Sequence, residues 1–202
     1  PETKDSNFAW DELKMKNNGE LAAAWGNLVN RVMGFATSKF EGKIPEPSAF
    51  SERDNALFAK RDEVFARVSA AYEEVRLRDA LKESIALARD VNKYLDEEAP
   101  WTRVKTDKGA AGHAIYIAIS MIQSINILLA PVLPFSSQKI YQAFGGKGDL
   151  FDTPSIEEVG GNDDPHMVMK MNSNPKDDMF KPVLAEAGAV FERLEPLFKQ
   201  IE

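Results

Sequence analysis

An all-α antiparallel bundle of about five helices, with an additional helix at the C-terminus, is the fold this sequence predicts. Three observations lead there. Apolar residues recur at alternating steps of three and four along most of the chain, the period of a helix with one buried face. Prolines and glycines fall between those stretches rather than inside them, where they end helices and turn the chain. Strand patterns are scarce, and no unit of 20–50 residues repeats, so a solenoid is not expected.

The first helix is expected from about Trp10, with Leu21, Trp25, Leu28, Val32 and Phe35 as its stripe, to about Phe40. "EGKIPEP" then stops it with a glycine and two prolines. Ser51 and Asp54 offer an N-terminal cap for a second helix marked by Phe58, Phe65, Val68, Tyr72 and Val75. A break near Leu77 and Arg78 precedes a third, carrying Leu81, Ile85, Ala88, Val91 and Leu95 and ending at Pro100. The fourth, "AIYIAISMIQSINILLAPVL", is long and apolar enough to raise a membrane span. Ser120, Gln123, Ser124 and Asn126 inside it favour a central bundle helix instead, and no membrane is expected. Ser136 and Ser137 begin a short fifth helix ending at Gly145 and Gly146.

Two regions follow. Residues 1–145 are expected to form the bundle. Residues 146–202 are expected to be an irregular acidic connection, then a helix of about Val183 to Phe198 packed on the bundle. Core positions are expected at Leu21, Trp25, Leu28, Val32, Ile85, Leu95, Ile119 and Ile122.

With 202 residues and 44% apolar content the chain can bury a substantial core. The absence of cysteine excludes disulfides and thiolate chemistry, and suits a reducing cytoplasm. The start at Pro1 leads us to expect a fragment or processed product, and no signal-peptide pattern opens it. A formal charge of −7 argues against a sequence-blind nucleic-acid binder. The acids are unevenly placed, however: residues 110–202 hold twelve acids and seven basic residues. From Trp25 to Lys43, and again from Trp101 to Lys108, three basic residues face one acid.

Within "WGNLVNR" the apolar residues suit a buried face, but the amides and the guanidinium do not. At about 100° per residue, Asn27 and Arg31 stand almost one above the other, on a strip shared with Gly34 and Ser38. An amide and a planar guanidinium can together read the edge of an unstacked base. Trp101, directly after Pro100, sits where an indole can stack on a base, with Arg103, Lys105 and Lys108 near enough for phosphates. Solvated polar residues and an aromatic plug at the bundle end are the plain structural alternatives.

These residues carry a resemblance. "FAWDEL", "ELAAAWGNLVNRV", "YLDEEAPW" and "LAPVLPFSSQKIYQAFG" fall in the order and spacing of the anticodon-binding domain of methionyl-tRNA synthetases. "LAPVLPF" alone is similar in the valine, isoleucine and leucine enzymes; the pairing of "GN…NR" with "APW" points to methionine. The closing "LEPLFKQIE" resembles the end of that family's core. The resemblance implies that Asn27 and Arg31 read anticodon bases, while Trp101 stacks on the first of them, with possible phosphate contacts at Arg103 and Lys105. It implies the anticodon loop of methionine tRNA and a catalytic domain of the same polypeptide as partners. The parent enzyme would use ATP and magnesium. Where many members of that family carry a further asparagine, this chain has Ala22, Ala23 and Ala24.

The chain has no "HIGH"-like or "KMSKS"-like sequence, and "GGKGD" lacks the spacing of a P-loop. No catalytic residues and no cofactor are therefore expected within it, and it should not aminoacylate alone. His166 beside Asp163 and Asp164 reads as a solvated loop histidine, so no metal site is expected; His113 reads as structural. Two other functions fit the pattern: a helical protein-interaction module, or the same bundle from another class I synthetase.

Overall fold

The computed structural model describes residues 7–150, 155–161, 163–170 and 180–202. The parts of the 146–202 region at 151–154, 162 and 171–179, and of the bundle region at 1–6, lie outside the described residues. Helix α1 (Trp10–Lys16) runs through a π-helical stretch, Asn17–Gly26, into α2 (Asn27–Phe40). There follow α3 (Glu52–Glu73), α4 (Leu77–Glu98), the single turn α5 (Pro100–Arg103), α6 (Lys108–Leu129) and α7 (Pro134–Ala143). The all-α bundle expectation holds.

Each boundary has a local cause. Ser51 accepts from the Asp54 N–H (3.2 Å), and the Asp54 carboxylate accepts from the Ser51 N–H (2.8 Å), a reciprocal cap that starts α3. Asp107 caps α6 by accepting from the Ala110 N–H at 2.9 Å. At the other end of α4, Ala99 takes a left-handed conformation (φ 44°), and Pro100 opens α5 at once.

Helix α6 is the centre. Seventeen of its 22 residues are buried, and although it is apolar enough to cross a membrane, 89% of that stretch lies inside the protein. Its neighbours are α2, α3, α4, α5 and α7. Trp25, Leu28, Val32, Ile85, Leu95, Ile119 and Ile122 are all in the core, as expected. Leu21 is not: it is half-buried, because Ala24, Trp25 and Gly26 are the first residues of the long N-terminal helix to meet the bundle fully.

The helix expected at Val183 to Phe198 is absent. Residues 183–202 form an extended strap across the bundle, forming a single antiparallel bridge between Lys43 and Val190. Its burial alternates, with Ala185 and Phe191 inside and Leu184, Glu186 and Val190 outside, the period of an extended chain. Pro182, Pro196 and Gly188 at φ +77° oppose a helix there. The bundle also supplies partners for the strap's backbone. Val183 N–H donates to Ser124 Oγ (3.1 Å), Ala185 N–H to Ser120 Oγ (3.0 Å), and the Arg61 guanidinium donates to Val183 O (3.0 Å). The buried serines of α6 thus satisfy a neighbour's peptide groups.

The region expected to be irregular contains a hairpin, β1 (Ser155–Val159) with β2 (His166–Lys170), antiparallel with Ile156 opposite Met169. His166 Nδ1 lies 2.8 Å from Asp164 O in its turn. Among the described residues, no cluster of three or more groups able to hold a metal occurs.

His113 ties the bundle together at one end. Its Nδ1 accepts from the Ser48 N–H (3.0 Å), so Nε2 carries the proton and donates to Asp54 Oδ2 (2.9 Å). Tyr94 donates to Asp54 Oδ1 at 2.8 Å. Burial alone would raise the Asp54 pKa, but bonds from Ser51, His113 and Tyr94 outweigh it and hold the group at about 2. The folded value lies below the unfolded one, so the stabilisation is complete above roughly pH 4 and is lost as pH falls towards 2. It amounts to about 2 kcal/mol. Denaturant unfolding at pH 7 and pH 2.5 should therefore show a loss in the parent that Asp54→Asn largely lacks. An equal loss in both would place the acid sensitivity elsewhere.

Candidate nucleic-acid interface

Asn27 and Arg31 owe their positions to the residues between them. Leu28, Val29 and Val32 are buried and fix the rotation of α2; Asn27 is left exposed and Arg31 half-exposed on the outward strip. The π-helical stretch ends where α2 begins, with the Asn27 N–H bonded to Ala22 O five residues back. It is braced from α4, since Asn92 Nδ2 donates to Ala24 O (2.9 Å) and Arg89 lies 3.5 Å from Glu20. Ala24 is thus held by an amide from another helix. No sequence reading signalled this: the stretch has ordinary helical periodicity, and Asn92 looks like one more polar residue on α4.

Trp101 stands at the start of α5, half-buried. The Arg31 guanidinium lies over its indole, 4.8 Å from the ring centroid, close enough for a cation–π attraction. Phe35 meets the same ring edge-on at 4.9 Å and 84°. The structure therefore brings Arg31 and Trp101 together from helices that are distant in sequence. Arg31 is also 3.9 Å from Asp96, a distance and exposure at which the pair contributes little stability.

The two residues expected at phosphates differ. Arg103 is exposed but donates to Glu98 at 2.6 Å, so part of its charge is already answered. Lys105 is exposed with no ion pair among the described residues. Lys108 lies 5.4 Å from the Phe40 ring centroid.

Of the strip's two small residues, Ser38 is exposed and Gly34 is approached by the strap. The strap runs antiparallel alongside α2 and reaches it at glycines. The Phe191 N–H donates to Gly42 O (3.0 Å); the Arg193 guanidinium lies 3.7–3.8 Å from where a Cβ on Gly34 would stand. A Cβ on Gly26 would come within 3.0 Å of the Phe198 ring and 3.1 Å of Leu21 O. Farther on, Asn17 and Asn18 donate to Lys199 O (3.0 Å) and Ile201 O (2.9 Å).

This face thus carries an exposed amide, a half-exposed guanidinium and a half-buried indole, groups of the kinds that contact unstacked bases. A family model for "tRNA synthetases class I (M)" matches residues 1–33. A second, the anticodon binding domain of methionyl tRNA ligase, matches residues 44–159, more than half of the chain. The chain belongs to this family of methionyl-tRNA ligase anticodon-binding domains. The curated methionine–tRNA ligases of Thermomicrobium roseum and Roseiflexus sp. are similar over the whole chain, at 39% and 34% identity. The chain spans about a third of their length (35% and 34%). The Mycobacterium tuberculosis methionyl-tRNA synthetase in its free state shares the fold, with TM-score 0.79 at 20% identity over 98% of this chain and 36% of that one. The same enzyme in complex with methionyl-adenylate gives 0.67 at 26% identity over 69% of this chain and 28% of that one.

Two pairs of variants test this packing. Trp25→Ala removes a fully buried indole and should cost about 3–5 kcal/mol in urea unfolding; Trp101→Ala should cost clearly less, because that ring is only half-buried. Equal losses would make Trp101 a core residue rather than a surface one. Gly26→Ala should cost about 1–3 kcal/mol by overpacking against Phe198. Gly34→Ala, whose Cβ meets only ordinary contacts, should be neutral or stabilising by about 0.5–1 kcal/mol. A Gly26→Ala protein as stable as its parent would mean that the strap is not packed as described.

Proposed function

We propose that this chain recognises the anticodon loop of methionine tRNA, with Asn27 and Arg31 reading base edges and Trp101 stacking on a base. The observation that carries the reading is the Arg31–Trp101 contact: a planar donor and an indole plane meet at a partly exposed site, on the helix strip that also carries the exposed Asn27. An unstacked base is flat, has a π-face and presents donors and acceptors on its edge, so it fits both groups at once. Lys105 and Arg103 lie along the chain that follows Trp101 and can meet backbone phosphates, Arg103 only by loosening its bond to Glu98.

In the complete polypeptide, the domain would position the tRNA while a catalytic domain activates methionine with ATP and magnesium and transfers it to the tRNA. Helix α1 supports a second domain nearby. It buries none of its residues here, while Phe8, Trp10 and Met15 are 68%, 76% and 66% exposed, and the class I match covers this stretch. The cysteine-free sequence fits a cytoplasmic setting.

Titration of anticodon stem-loops against the complete polypeptide tests the assignment. Arg31→Ala should cost about 1–3 kcal/mol on a methionine anticodon and much less on an altered one. Arg31→Lys should remain defective, because a point charge cannot replace a planar fork. Asn27→Ala should relax discrimination without changing net charge. Should all three variants keep the parental preference between loops, the base-reading assignment is wrong; a parent that binds neither loop would favour a protein-interaction module.

A further inference from the structure

We propose that Arg193, on the C-terminal strap, is a further RNA-binding residue, and that it engages a backbone phosphate of the loop read by Asn27 and Arg31. The inference rests on that reading of α2 and adds to it a residue from a distant part of the chain.

Three observations place Arg193 there. The first is position. Gly34 lies on the strip of α2 that carries Asn27, Arg31 and Ser38. All of Nε, Cζ and Nη2 of Arg193 lie 3.7–3.8 Å from where a Gly34 Cβ would stand. The guanidinium is thus laid broadside over a residue with no side chain, one helical turn from Arg31.

The second observation is charge. Arg31, Arg53, Arg61, Arg67, Arg76, Arg89 and Arg103 each have a carboxylate partner. Arg193 is exposed and forms no ion pair among the described residues. In a chain of formal charge −7, an arginine on the proposed RNA face with no carboxylate partner among the described residues stands apart. Its donors are directed by a fixed planar fork that matches phosphate oxygens.

The third is rigidity of the support. Just before Arg193, the Phe191 N–H is bonded to Gly42 O (3.0 Å) and the Glu192 N–H to Ala143 O (2.8 Å). Beyond it, Phe198 packs on Gly26, and Asn17 and Asn18 hold the backbone at Lys199 and Ile201. The strap is therefore tied to the bundle on both sides of Arg193, and the side chain starts from a fixed point. A ready-placed cation loses less freedom on binding than one on a loose tail.

Phosphate rather than base is the partner assigned, because the guanidinium is backed by the helix at Gly34 and has no carboxylate partner among the described residues. A phosphate contact contributes on every sequence and releases counterions. The test compares methionine and altered anticodon stem-loops over a salt series, using the complete polypeptide. Arg193→Gln, which keeps the apolar stem over Gly34, should weaken both loops roughly tenfold. It should reduce the slope of log K against log salt by about 0.7–0.9. Arg193→Lys should restore most of the affinity and the slope. Unaltered affinity and slope in Arg193→Gln, with Arg31→Ala and Trp101→Ala still defective, would overturn the assignment and leave the base-reading site intact. A loss confined to the methionine loop would also overturn it, by making Arg193 a base reader. If Arg31→Ala and Trp101→Ala bind like the parent, the underlying reading has failed instead. Thermal unfolding of Arg193→Gln should match the parent, since no ion pair is removed.

Discussion

A helix that is apolar around its whole circumference has to be covered around its whole circumference, and α6 imposes that demand on everything else. Five helical elements cover most of it. The remaining side receives the strap, and an extended strand brought into a core carries unbonded peptide groups with it. Ser120, Ser124 and Arg61 meet that need. The polar residues that look misplaced in the most apolar stretch of the sequence are therefore what lets the chain close over its own centre.

The proposed recognition surface follows from the same packing. Trp25, Leu28 and Val32 are buried, so the rotation of α2 is settled by its inner face, and Asn27 and Arg31 are carried outward as a consequence. Trp101 is placed by the end of α4, where Ala99 reverses the chain and Pro100 starts a new turn. Two independent packing decisions thus meet at one contact, the guanidinium over the indole. Each group engages the other: the Arg31 guanidinium lies over the indole face, and the ring partly answers its charge.

Much of this was legible in the sequence because the signals were local. The Ser51–Asp54 cap, the prolines after α2 and α4, and the separation of Leu28 and Val32 from Asn27 and Arg31 all act within one or two helical turns. The strap was misread because Val183, Ala187, Phe191, Leu194 and Phe198 fall at helical spacing, while Val183, Ala185, Ala187, Ala189 and Phe191 alternate at the spacing of a strand. Only Pro182, Gly188 and Pro196 break the tie, and the hydrogen bonds that favour the extended form come from α6, some 60 residues away. The hairpin was missed for a similar reason: its short strands leave Ile156, Met167 and Met169 exposed, so the pattern of a buried face is absent. Contact between Arg31 and Trp101 was not legible, because the two residues stand on different helices far apart in the chain.

The strap also sets an order of events during synthesis. Helices α2 to α7 leave the ribosome before it, so for that interval the serine hydroxyls of α6 and one flank of the central helix remain open. A nascent chain stalled there is a nearly complete bundle with a sticky seam, the kind of species that chaperones hold and that aggregates when crowded. The seam stays open until the strap itself has left the ribosome. The same step lays the strap along α2, so one flank of that helix is covered at the moment the bundle's interior is sealed.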